Sequence, residues 1–113
     1  MFYKYNMWKK FLFKRAFDIN KDIKREEINQ YLMEGAILID VRSPQEYREG
    51  HLNNAISIPF YQIKRNIEKQ IPNKNQLIVL YCSTGHRGKE VQYTMERMGY
   101  TNVYNVYEGI NIF

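Results

Sequence analysis

This chain of 113 residues has one cysteine, two histidines and three prolines. A single thiol excludes an internal disulfide framework and leaves no CxxC pair for zinc. His51 and His86 add too few ligands for a structural metal site, so neither a metal nor any other cofactor is expected. No apolar run approaches the roughly 18 residues of a membrane helix, so no integral membrane segment is expected. The "FLF" near the N-terminus is far too short for the apolar region of a signal peptide. Internal repeats and low-complexity linkers are absent. A lone thiol suits a reducing compartment, which makes the cytoplasm the expected location.

What is present fits one folded domain, with 44% hydrophobic residues. The formal charge of +5 is unevenly spread. Residues 1–18 hold Lys4, Lys9, Lys10, Lys14 and Arg15 against Asp18 alone, whereas residues 19–113 carry 12 basic and 11 acidic groups. The body is nearly neutral, so its charge gives no reason to expect a nucleic-acid partner. The chain therefore divides into a basic, aromatic arm (1–18) and a domain (19–113). The lysines of the arm fall on several sides of a helical wheel, so it has no clean amphipathic face. It is expected to pack on its own domain or on a partner subunit, which leaves a dimer through the arm open.

Along the domain, "KREEINQYLMEG" spaces Ile28, Tyr31 and Leu32 as a helix ending at Gly35. "AILID" is a strand. "SPQEYREG" predicts a short helix with Ser43 as N-cap, Pro44 in its first position, Glu46 as capping-box partner and Gly50 as terminator. "AISIP" is a second strand. "FYQIKRNIEKQI" predicts a helix with Phe60, Ile63, Ile67 and Ile71 on one stripe. "QLIVLY", apolar on both faces, reads as the centre of a parallel sheet. "GKEVQYTMERMG" predicts a helix with Val91, Met95 and Met98 inward, and "NVYNV" a last strand. Helices and strands alternate, which predicts an α/β sandwich around a mainly parallel sheet, with its ligand site at the carboxyl ends of the strands.

Cys82 stands at one of those ends, in "LIVLYCSTGHRGKEV". Free cysteine usually behaves as a small buried hydrophobe. Three features point instead to a reagent. The thiol follows a central strand where the chain must turn. Gly85 and Gly88 permit a tight loop into a helix starting near Gly88, whose unpaired N–H groups can converge on sulfur. His86 and Arg87 are close enough to line the same pocket. Helix N-terminus and cations together favour thiolate over thiol and would hold an anion. "GHRGK" lacks the GxxxxGK[ST] spacing of a phosphate-binding loop.

These blocks resemble the rhodanese family. "LIDVRSPQEYREGHLNNAISIP" is similar to its first signature, "VLYCSTGHRG" to its active-site loop and "MGYTNVYNVYEGI" to its closing segment, together covering about residues 22–111. Asn54 stands where glycine is usual, Glu108-Gly109 replaces a common glycine pair, and Phe113 ends the chain where a tryptophan often follows. The resemblance implies a three-layer sandwich with a central five-stranded sheet. It also implies a sulfurtransferase taking sulfur from a small-molecule donor such as thiosulfate to cyanide or a thiol. A sulfur-relay protein partner is a further expectation for single-domain chains of this kind. Mapped onto this sequence, Cys82 would be nucleophile and persulfide carrier. Backbone N–H groups of Ser83, Thr84, Gly85, His86, Arg87 and Gly88 would cradle the outer sulfur, Arg87 and protonated His86 would attract an anionic donor, and the hydroxyls of Ser83 and Thr84 could add hydrogen bonds.

Two rivals share the fold. Phosphatases and arsenate reductases separate cysteine and arginine by five residues; here Ser83, Thr84, Gly85 and His86 make four, a cradle nearer the size of one sulfur atom. Non-catalytic binding modules typically lack the cysteine that this chain keeps. Asp40, Arg42, Glu46 and His51 read as structural: Glu46 through the capping box, Asp40 with Arg42 as a turn-fixing pair that borders the pocket, and His51 as a hydrogen-bonded histidine.

Overall fold

Ile78, Val79, Leu80 and Tyr81 leave no polar face to turn toward water, so both sides of this segment must be covered. It forms β4 (Ile78–Tyr81), the middle strand of a five-stranded sheet in a computed structural model that describes residues 20–111. Around it the order is β1 (Asp22–Ile23), β5 (Val103–Val106), β4, β2 (Ile37–Asp40) and β3 (Ile56–Ser57), and every pairing is parallel. Asp40 pairs with both Tyr81 and Ser57, so three strands end level with one another. The arm 1–18 and Phe113 lie outside the described residues.

Alternation along β4 divides the core in two. Ile78 and Leu80 join Ile39, Val41, Val91 and Met95 under α3 (Ile63–Gln70) and α4 (His86–Arg97). Val79 and Tyr81 face the other way, into a cluster with Ile28, Tyr31 and Tyr104 that α1 (Ile28–Met33) covers. Cys82 keeps the parity of Ile78 and Leu80, so its side chain points toward α3 and α4.

The helix between β2 and β3, α2 (Pro44–Glu49), has the termini expected from its letters. Ser43 Oγ accepts from Glu46 N–H at 3.2 Å, and Ser43 N–H donates to Glu46 Oε1 at 3.0 Å. Other expectations need correction. Residues 25–27 and 60–62 are single 3₁₀ turns leading into α1 and α3. Phe60 therefore leaves the stripe of Ile63, Ile67 and Ile71, because three residues per turn rotate it away from the core, and it is 41% exposed. Helix α4 starts at His86, two residues before Gly88. Asp22–Ile23 joins the sheet as β1, a strand too short to show any period in the sequence.

Candidate active site

Cys82 is the first residue after β4, and its backbone carbonyl accepts a 2.7 Å hydrogen bond from the N–H of Ile110. Its side chain is fully buried, under the loop rather than at an open mouth. The sulfur accepts two backbone hydrogen bonds, from Gly85 N–H at 3.0 Å and Gly88 N–H at 3.3 Å. Both donors belong to the start of α4, where N–H groups have no partner within the helix. Gly85 has φ +94°, and a Cβ there would stand 2.1 Å from the carbonyl oxygen of Tyr107. Left-handed backbone and close approach both require glycine.

Of the six loop residues expected to hold sulfur, two therefore direct N–H groups at Sγ. Ser83 Oγ donates to Glu46 Oε2 at 3.4 Å. Thr84 Oγ1 and His86 Nδ1 are hydrogen-bonded to each other at 3.1 Å on the exposed rim. Arg87 turns to Glu46, with contacts of 3.3 and 3.5 Å, and its guanidinium lies 5.2 Å from the ring centroid of Phe60.

Arg42 sits in a different setting. It binds both carboxylate oxygens of Asp40, the shortest contact being 2.7 Å, and donates at 2.6 Å to the carbonyl of Gly50. Arg42 and Asp40 are 3% and 0% exposed, against 34% and 32% for Arg87 and Glu46. Asp40 and Arg42 pair at the end of β2, and Arg42 also borders a cleft of about 190 Å³ with Glu46, Glu49, Ser83 and Ile110. A larger cleft of about 340 Å³ is lined by Phe60, Tyr61, Ile63, Lys64, Arg87 and Val91. The Arg87–Glu46 ion pair thus contributes one partner to each cleft.

Glu46 is more than a cap. The Ser43 backbone N–H, with Arg87 assisting and burial opposing, holds its carboxyl below the usual glutamate range. His51 is hydrogen-bonded through Nδ1 to the Tyr47 carbonyl at 2.8 Å and stacks on the Tyr47 ring. Sequence reasoning missed Asn105, a fully buried side chain in β5 whose Nδ2 donates to the Gly85 carbonyl at 3.1 Å. Its signal was an amide within "VYNV", a type depleted in strands. Among the described residues no group of three or more side chains could hold a metal ion, and no helix is long and apolar enough to cross a membrane.

Comparison with known proteins adds to this geometry. The model of the rhodanese-like domain matches residues 24–113. Thiosulfate sulfurtransferase PspE of Escherichia coli is 37% identical over 67 residues, which span 59% of this chain and 64% of that protein. A tRNA uridine(34) hydroxylase of Erwinia tasmaniensis is 33% identical over 100 residues, spanning 84% of this chain but 29% of that protein. The chain thus covers less than two thirds of either curated relative. The solved structure of the human single-domain sulfurtransferase TSTD1 superposes with a TM-score of 0.70, over 80% of this chain and 91% of that one. At 23% identity, that likeness speaks for the fold.

Proposed function

The chain belongs to the rhodanese-like domain family, and from that premise we propose that it is a sulfurtransferase working through a persulfide on Cys82. The observation that carries the reading is the pair of N–H groups, from Gly85 and Gly88, that meet on the Cys82 sulfur. Donors fixed in advance stabilise charge on the atom they face without reorganising when it develops.

The reaction runs in two displacements. The Cys82 thiolate attacks the outer sulfur of thiosulfate; a new S–S bond forms, the old one breaks, and sulfite leaves with the electron pair. The terminal persulfide sulfur then carries the negative charge beneath the same loop. Cyanide or a thiolate removes that sulfur as thiocyanate or as a new persulfide, and Cys82 departs as thiolate. Thiosulfate as donor draws support from the name of the Escherichia coli relative, and a reducing, cytoplasmic setting would keep the thiol available. A thiol on a sulfur-relay protein would serve as acceptor by the same displacement.

Arg87 is the cation that an anionic donor recruits. Its part-exposed ion pair with Glu46 is worth up to about 1 kcal/mol, so an anion displaces it cheaply. The rim residues Ser83, Thr84 and His86 contribute polarity around the entry.

The complete burial of Cys82 favours a second reading, in which the thiol is packing and the domain a binding module. Intact-protein mass spectrometry after incubation with thiosulfate separates the two. Wild type is expected to gain one sulfur mass that cyanide reverses, and Cys82→Ser to gain none. An unmodified wild type, with polysulfide tried as well, would leave the binding module.

A further inference from the structure

The side chain of Asn105 is fully buried in an otherwise apolar strand, in register with Leu80 on one side and Asp22 on the other. Burying a primary amide costs stability unless its groups are bonded. Its Nδ2 donates to the Gly85 carbonyl at 3.1 Å, yet that carbonyl already accepts the Lys89 N–H at 3.0 Å, so the loop needs no amide to satisfy it. Among the described residues its Oδ1 has no hydrogen-bond partner. That oxygen instead lies 2.0 Å from where a Cβ on Gly88 would stand, so it fills the space under Gly88. One end of the amide thus holds Gly85 and the other abuts Gly88. These are the two residues whose N–H groups meet on the Cys82 sulfur.

We propose that Asn105 is a positioning residue that braces both sulfur-facing N–H groups from below, an inference that rests on the sulfurtransferase reading for its purpose. The orphaned Oδ1 is a cost that an aliphatic side chain in the core would avoid. The amide sets where the loop stands over Cys82. When Asn105 is shortened, the left-handed turn at Gly85 loses its anchor, and the two donors drift off the sulfur.

The test reads the thiol itself. The ultraviolet absorbance of the Cys82 thiolate is titrated with pH in wild type, Asn105→Ala and Asn105→Leu, with Cys82→Ser as blank. His86, Arg87 and Glu46, and Asp40 with Arg42 at the end of β2, are unchanged in every variant. Loss of hydrogen bonds to the charged form is expected to move the titration midpoint up by about one pH unit. Asn105→Leu keeps the branched shape without either polar group, so it serves if Asn105→Ala fails to fold. Amide hydrogen exchange at Gly85 and Gly88, compared with the amides of β5, separates a loosened loop from a loosened sheet.

Gly88→Ala supplies the converse. Its new methyl should clash with Oδ1 and destabilise the protein alone, and joined to Asn105→Ala it should regain stability without restoring the midpoint. Folded Asn105 variants with an unchanged midpoint would overturn the proposal. No step requires sulfur transfer, so a wild type that forms no persulfide would sink the proposed function and leave this test intact.

Discussion

Arg42 and Arg87 lie at the same end of the sheet with the same charge, and burial gives them opposite work. Arg42 is held at fixed geometry on Asp40, and removing it would strand a buried carboxylate. Arg42→Ala is expected to cost about 3–5 kcal/mol in urea unfolding; a loss below about 1 kcal/mol would mean that water reaches Asp40. Arg87 is loosely held, so Arg87→Ala should leave stability nearly unchanged and raise the KM for thiosulfate several-fold with little effect on kcat. Equal losses with thiosulfate and a neutral organic polysulfide would make Arg87 a shaper of the loop instead. Residue chemistry also accounts for two departures from the family pattern. Asn54 has φ +69°, a conformation that asparagine tolerates better than most residues. Glu108 accepts from the N–H of Arg25 at 3.3 Å, while the neighbouring Gly109, at φ +76° with Ser83 O 2.2 Å from any Cβ, is the member of the pair that had to stay.

Among the elements, α2 was readable to the residue because Ser43, Pro44 and Glu46 act locally, within one turn. The reach of Glu46 across to Arg87 was not readable, since it joins residues 41 apart through tertiary packing. This carboxyl is therefore a link between α2 and the start of α4 as well as a cap, and its lowered native pKa has a defined consequence. A depressed carboxylate contributes stability that is present above its unfolded value, near 4.5, and is lost as pH falls through the lowered native value. Glu46→Gln preserves the cap but not the charge. The melting temperature of wild type should exceed that of the variant at pH 6, with the gap closing only below pH 4.5. A constant gap across that range would assign the loss to packing. The 3₁₀ turn at Phe60 was misread for a related reason, because its rotation is set by the neighbouring loop and not by helical period.

For the molecule as a whole, the alternation of helices and strands was enough to give a parallel α/β sheet, and apolarity on both faces was enough to place β4 at its centre. Strand order and the two-residue strand β1 were not legible, because both depend on pairings between segments far apart in the chain. That topology is what builds the candidate site. Parallel strands end on one side, so β4 delivers Cys82, β2 delivers Asp40 and Arg42, and the chain after β5 delivers Tyr107 and Gly109 against the loop. The groups that meet on the sulfur are the main-chain N–H groups of Gly85 and Gly88, not side chains of the rim. Side chains on the rim, at Thr84 and His86, can therefore be exchanged with little effect on how sulfur is held. On the proposed sulfurtransferase reading, the rim can be altered to suit a different donor or acceptor while the grip on the sulfur stays the same.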